Sequence, residues 1–354
     1  MKNRLVVASD IEYTLELRDF GYEVLARVLG ELGKKLYAGL SGFDDVLGLF
    51  PDALTDERLK TLSVDYVPGT TPLLILPFVA AFCEFNRNIV EDLAEITDLR
   101  INRGVPELVR GLQDDGAHVV LISSACDAFA RRSASVLNLP YWYASNTMRF
   151  GEPDLRIKKE LRDLAIEIAR LPHIEFKEDK LTRSEENSSR IREFEGAFLH
   201  LGEYVDLEVM VRAAMGGRRK VGALNHALQY AVGQFGAPLE GGMMSHVVYW
   251  GDSITDEYVL REVSRQGGLA VSVNGNAFAL ANADVAVVSK NLGCLRPLAV
   301  KFAELGKSGL LAHITDNSNS FAEEGVFVND RNPALRILSG KMRGDLKGEK
   351  AIIN

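Results

Sequence analysis

The sequence predicts an α/β protein whose core is a doubly wound, mostly parallel sheet. Three observations carry that expectation. Five apolar, β-branched runs read as buried strands: Leu5 to Ala8, His118 to Ile122, Val247 to Trp250, Leu269 to Val273 and Val285 to Val288. Near-continuous apolar runs suit parallel strands covered on both faces, where neither face alternates toward water. Each run ends in a polar or glycine-bearing turn, with helical patterns between the runs. Alternating strands and helices in one chain form a sheet with helices on both faces.

After the first strand, Asp19 is placed to cap a helix with an apolar face of Phe20, Val24, Leu25, Val28, Leu29 and Leu32. Residues 20–98 are mostly helical in pattern and interrupt the sheet directly after its first strand. The sheet resumes over 99–151. There Pro106 suits a first helical position, Val109 and Leu112 repeat at helical spacing, and Gly116 ends the helix. A second insertion, 152–217, is more charged, and its run Lys177 to Arg192 is expected to be an exposed face or loop. The core returns over 218–341, where Glu257 to Gln266 forms a helix on Val259, Leu260 and Val263 and stops at Gly267-Gly268. Residues 1–19 belong to the same core, and 342–354 read as a polar tail. No repeat, heptad array or low-complexity tract is present.

Composition bounds the function classes. The 354 residues suggest roughly two domains. With 47% hydrophobic and 25% charged residues, the chain has the balance of a soluble globular protein. A net charge of −8 argues against nucleic acid or an anionic membrane as partner. An acidic protein that takes a phosphorylated substrate needs a local cation, such as a metal. Cys83, Cys126 and Cys294 are odd in number and form no CxxC, which points to a reducing, cytoplasmic setting and to buried small side chains. MKNRLVVASD reaches an acid too early for a signal peptide. Leu73 to Cys83 contains Pro77 and falls short of the roughly 20 residues of a membrane helix. Neither GxGxxG nor GxxxxGK[ST] occurs, which removes the common nucleotide-binding loops.

Functional residues of an open α/β sheet gather beyond the carboxyl ends of its strands. The first strand delivers Asp10, Glu12 and Thr14, and the second delivers Ser123, or Ser124 if it ends one residue later. The third delivers Gly251, Asp252, Ser253, Thr255 and Asp256. Arg218-Arg219-Lys220 precedes the helix that leads into that third strand. Each feature alone is ordinary: a strand-end acid caps a helix, GDSITD makes an Asx turn, three basic residues make a surface patch, and His226 and His246 are structural. Together, three converging carboxylates repel one another unless a divalent cation or a lysine compensates.

That set resembles the haloacid dehalogenase superfamily, in particular its phosphoserine-phosphatase-like branch. Ser9 to Thr14 (SDIEYT) fits the first motif, hhhhDxDxT, except at Glu12. Leu121 to Ser123 (LIS) matches the second, Lys220 the third, and Gly251 to Asp256 the fourth, GDSxTD, in full. Gly104 to Leu108 and Leu269 to Gly275 also resemble family segments, and the insertions fall at the family's two cap positions. The DxE opening and Asp19 to Glu23 further resemble an archaeal phosphatase-like set known as energy-converting hydrogenase A subunit R.

The resemblance implies a Mg2+-dependent phosphatase acting on a small phosphorylated metabolite. Asp10 is then the nucleophile. Magnesium is held by Asp10, the Glu12 carbonyl and Asp252, with Asp256 holding its waters or orienting Lys220. Lys220 and Ser123 contact the phosphoryl group, and Thr14 bonds backbone in the turn. Glu12 departs from the family's aspartate at the general acid–base position. A carboxyl is kept, but moved by about a bond length, and such misplacement can cost on the order of 100-fold in rate. The other reading is a slow or non-catalytic regulatory or assembly protein on the same fold.

Overall fold

The structure, a computed structural model, describes residues 5–83, 94, 99–146, 154–177, 180–235, 242–329 and 333–347. Its strands are β1 (Val6–Ser9), β2 (His118–Cys126), β3 (Trp142–Ser145), β4 (Phe176–Lys177), β5 (Lys180–Leu181), β6 (Val247–Gly251), β7 (Leu269–Val273), β8 (Val285–Val287) and β9 (Val326–Val328). Seven form one sheet in the order β3-β2-β1-β6-β7-β8-β9. Every neighbouring pair is parallel except β8 with β9. All four residues of β1 are buried. Val7 joins the core on one face, with Leu121 and Val248, and Val6 and Ala8 join the other, with Val120, Ile122 and Leu224. Burial on both faces explains why these strands carry no polar alternation.

The strand order fixes where a site can form. From β1 the chain moves outward to β2 and β3 on one side, then returns through the helix Arg218–Phe235 to β6 on the other. The connections on the two sides of β1 diverge, opening a crevice at the carboxyl ends of β1 and β6.

Local signals place most boundaries. Asp19 Oδ1 accepts the Tyr22 N–H at 2.8 Å and starts the helix Phe20–Leu29. Gly30, at φ 59°, ends it, so the apolar face expected through Leu32 is split between that helix and Glu31–Leu49. Pro106 lies in the first turn of Val105–Asp114, and Glu257–Arg265 stops before Gly267 at φ 87°.

The expected insertion 20–98 is helical over its described part, while 84–93 and 95–98 lie outside the described residues. Its helices pack on Leu155–Arg170 and Glu185–Leu201. The Phe43 ring lies 5.8 Å from Phe194 and 5.3 Å from Phe198. Buried Glu195 accepts the N–H groups of Thr55 and Asp56 and the Thr55 hydroxyl, tying the two segments together.

Several expectations need correction. Lys177 to Arg192 is not simply an exposed loop: Lys177 and Lys180–Leu181 lie in short strands, and Glu185–Leu201 is a helix capped by Ser184. Ile191, Phe194, Phe198 and Leu201 bury one stripe of it, a spacing masked by the charges between them. Residues 342–347 are not tail but the last turns of the helix Pro333–Lys347, and 348–354 lie outside the described residues. The edge strands β3 and β9 were not expected, because β3 is only half buried and β9 has three residues. Cys126 is buried, whereas Cys83 and Cys294 are partly exposed. Among the described residues no helix is long and apolar enough to cross a membrane.

Candidate active site

The end of β1 is tied to β6 by the Asp10 N–H, which donates to the Trp250 carbonyl at 2.9 Å. The chain then folds tightly: the N–H groups of Thr14, Leu15 and Glu16 all reach the Ile11 carbonyl, and Tyr13 takes φ 56°. This turn leaves Asp10 buried at the crevice, with its Oδ1 accepting the Ile11 N–H at 2.7 Å. On β6 the chain turns at Ser253 and Asp256, which form a capping box. The Asp256 carboxylate folds back beneath Gly251, where a Cβ would lie 2.5 Å from Asp256 Cγ. Any side chain there would displace the acid.

Lys220 joins the two strand ends. It sits in the first turn of Arg218–Phe235, fully buried, and its Nζ donates to Asp10 Oδ2 at 2.7 Å, Asp256 Oδ1 at 2.7 Å and Thr255 Oγ1 at 3.1 Å. The two basic neighbours turn the other way. Arg218 donates to Asp65 and the Val64 carbonyl, and Arg219 to the carbonyls of Asp65, Val211 and Ala214.

The acids differ in how far they are committed. Asp256 accepts from four donors: Lys220, the Tyr249 phenol at 2.8 Å, and the N–H groups of Asp252 and Ser253 at 3.1 and 3.3 Å. It is therefore built to hold its neighbours. Asp252 accepts the Thr14 hydroxyl at 3.3 Å and the Arg343 guanidinium. Thr14 thus reaches across to β6 rather than only to its own turn. One carboxylate oxygen from each of Asp10, Asp252 and Asp256 can be chosen so that all lie within 4.8 Å of one another. The donors are hard oxygens, all buried, and Asp10 and Asp252 keep lone pairs to offer. The set fits a small hard divalent cation such as magnesium.

Electrostatics agree with an excess of negative charge. Burial pushes Asp10 up to about 7, with Lys220 pulling it down and Asp256 and Asp252 pushing it up. Burial opposes the charge on Lys220, but Asp10 and Asp256 outweigh it and hold the ammonium well above the ordinary lysine range. Three carboxylates around one lysine invite either a proton or a second cation.

Glu12 has one oxygen committed outside the acid cluster. Its Oε1 accepts the Phe20 N–H at 2.7 Å, so its side chain is engaged at the first turn of the helix Phe20–Leu29. Burial, then the charge of Asp19, raise its carboxyl well above the usual range. Ser123 lies inside β2, which continues to Cys126, and its Oγ accepts the Ala125 N–H at 3.2 Å. Ser124 is occupied through its carbonyl, which accepts the Ser145 hydroxyl at 2.6 Å. His226 Nδ1 pairs with the Tyr143 phenol at 2.7 Å, away from the acids.

Two contributors escaped sequence reasoning. Tyr249 looked like one more apolar strand residue, and Arg343 lay in the supposed tail. The spacing of Leu335, Ser339 and Arg343 at every fourth position is the signal that would have found the latter, since such residues share a helix face.

No protein-family model and no curated protein matches the chain. Among solved structures it is similar to the gene product AF1437 from Archaeoglobus fulgidus, with 21% identity and a TM-score of 0.70 over 98% of this chain and 97% of that one. A phospho-aspartyl intermediate analogue of phosphoserine phosphatase overlaps 84% of this chain and 98% of its own, at 15% identity and a TM-score of 0.43. A probable phosphoserine phosphatase from Vibrio cholerae overlaps 84% of this chain and 65% of its own, at 15% identity and a TM-score of 0.42. With TM-scores of 0.43 and 0.42, the last two likenesses do not bear on function. The chain therefore shares its fold, over nearly its whole length, with the Archaeoglobus protein.

Proposed function

We propose that the chain is a magnesium-dependent phosphatase of the haloacid dehalogenase type, hydrolysing a small phosphomonoester through an aspartyl-phosphate at Asp10. The observation that carries this reading is the buried Lys220 ammonium bridging Asp10 and Asp256 beside Asp252. Lysine, nucleophile and acids come from three separate elements, and a merely structural ion pair would not need the third acid.

In the first displacement a carboxylate oxygen of Asp10 bonds to phosphorus as the bond from phosphorus to the leaving oxygen breaks. The leaving alkoxide takes a proton from Glu12. In the second, Glu12 takes a proton from water, the water oxygen bonds to phosphorus, and the bond to Asp10 breaks to release phosphate. Glu12 is suited to start protonated, because burial favours its neutral form. With Oε1 on the Phe20 N–H, the other oxygen is the one to carry the proton. Ser123, whose oxygen accepts from Ala125, keeps its own proton to donate to a phosphoryl oxygen. Lys220 lowers the charge the nucleophile presents to the phosphate. Magnesium, when bound by Asp10, Asp252 and the Glu12 carbonyl, would supply further neutralisation of the phosphoryl oxygens.

The expectation of small substrates is supported by the loop Val67–Thr70 of the first helical insertion. A Cβ on Gly69 would meet Thr255 Cγ2 at 2.8 Å and Ser124 Cβ at 3.0 Å, so this loop lies directly on site residues. The second reading, a non-catalytic regulatory or assembly protein, is favoured by one observation: Glu12 replaces the expected aspartate and is held by the Phe20 N–H.

Hydrolysis of an aryl phosphate with and without magnesium separates the two. Wild type is expected to be active only with magnesium, and Asp10→Asn inactive. No magnesium-dependent turnover across a panel of phosphometabolites would favour the second reading, and activity surviving in Asp10→Asn would refute the mechanism.

A further inference from the structure

The C-terminal helix Pro333–Lys347 is docked by three residues of one face on β8, the helix Ala277–Asn282 and the loop after β7. Leu335 is buried with Leu280 and Ala286. The Ser339 hydroxyl, fully buried, donates to the Gly275 carbonyl at 2.7 Å. Arg343, one helical turn further, reaches the acids: its Nη1 donates to the Asp252 carbonyl at 3.0 Å, the Asn274 carbonyl at 3.4 Å and Asp252 Oδ2. Its guanidinium carbon lies 5.4 Å from the centre of the Tyr13 ring, in the turn that follows Asp10.

We propose that Arg343 is a positioning residue for Asp252, and that the C-terminal helix is part of the divalent-cation site. This rests on the phosphatase reading only in taking Asp252 as a metal ligand. With Thr14 on Oδ1 and Arg343 on Oδ2, rotation of the Asp252 carboxylate breaks a bond at each oxygen. The two contacts are unequal: the hydroxyl at 3.3 Å is weak and easily displaced, whereas the guanidinium is charge-assisted. The oxygen left for a cation is therefore Oδ1.

The opposite role, a tethered cation that occupies the metal's place, fits less well. The same nitrogen is held by two main-chain carbonyls, so Arg343 is fastened to the backbone behind Asp252. Asp10, the acid on the other side, is served by Lys220. Partners that fix a ligating carboxylate commonly change metal affinity by about 10–100-fold when removed.

The two roles predict opposite signs, which a calorimetric titration with magnesium reads directly on the full-length protein, without any turnover. Arg343→Gln is expected to weaken magnesium binding by about tenfold. Arg343→Lys is expected to fall between Gln and wild type, since an ammonium keeps the charge but ends one bond short of the Nη1 that makes all three contacts. Unchanged affinity in Arg343→Gln overturns the proposal, and tighter binding overturns it in favour of a competing cation. Should Arg343→Gln fail to fold, Arg343→Lys carries the test, and wild-type affinity there refutes the positioning role. If wild type itself binds no magnesium, both this proposal and the phosphatase reading fall. If wild type binds and the variants match it, only this proposal does.

Discussion

At the scale of single residues, buried acids divide by what their surroundings do with the charge. Asp256 is surrounded by donors, Asp10 shares a lysine, and Glu16 has neither arrangement. Glu16 is fully buried, its Oε1 accepts the Arg100 N–H at 2.6 Å, and among the described residues its Oε2 has no partner. Burial pushes its carboxyl from 4.5 to about 7, against pulls from the Arg100 N–H, Arg18 and Arg132. A carboxyl with a raised folded value binds its proton more tightly in the folded state. Its contribution to stability is present below the unfolded value and is lost as pH rises from 4.5 to about 7. The loss is of the order of 3 kcal/mol. Glu16→Gln, which cannot ionise, should raise the melting temperature at about pH 8 and change it little at about pH 5. Equal shifts at both would show that Glu16 is not buried in this way. The same distinction decides what the sequence could disclose. Asp10, Lys220, Asp252 and Asp256 were legible because strand ends and motif spacing mark them, and the structure brings them together. The fit of Glu12 to the Phe20 N–H and of Tyr249 to Asp256 depends on rotamers, which no spacing encodes.

At the scale of elements, the strands were legible because burial on both faces writes itself as unbroken apolar runs. The helix Glu185–Leu201 was not, because its buried stripe is thinned by Glu and Arg at the intervening positions. The loop Val67–Thr70 was equally hidden, since its conformation is set from a distance. Asp44 accepts the N–H groups of Gly69, Thr70 and Thr71 and the Thr71 hydroxyl, and thereby shapes it. Gly69 takes φ 94° to pass over Ser124 and Thr255. Gly216 completes the seat: a Cβ there would lie 1.9 Å from the Pro68 carbonyl oxygen, a contact with main chain that no rotamer relieves. Gly216→Ala should therefore cost about 1–3 kcal/mol, seen as a lower melting temperature. Gly42→Ala is the internal comparison, because it lies within the helix Glu31–Leu49 with nothing near its Cβ. That change should be neutral or stabilising by up to about 1 kcal/mol. Similar effects from both would mean that the loop does not press on Gly216.

At the scale of the whole molecule, the acids that meet at the crevice come from neighbouring strands in the middle of the sheet that are far apart in sequence. Asp10 follows β1, Asp252 and Asp256 follow β6, and Lys220 opens the helix between them, 210 residues from Asp10 in sequence. An unfolded chain cannot hold these groups together, so a cation bound by them binds the folded state alone. Binding of that kind stabilises by mass action, reaching about 2.7 kcal/mol at a hundredfold excess over the dissociation constant. Magnesium should thus raise the melting temperature of the wild type by a few degrees, the scale expected for a chain of this size. Chelator should return it to the starting value. Asp10→Asn keeps the shape and removes one anionic ligand, so its gain with magnesium should be much smaller. Asp65→Asn, at a partly solvated ion pair with Arg218 on the helical insertion, should leave the gain intact. A stabilisation that is equal in Asp10→Asn and wild type would place the bound cation elsewhere on this acidic protein.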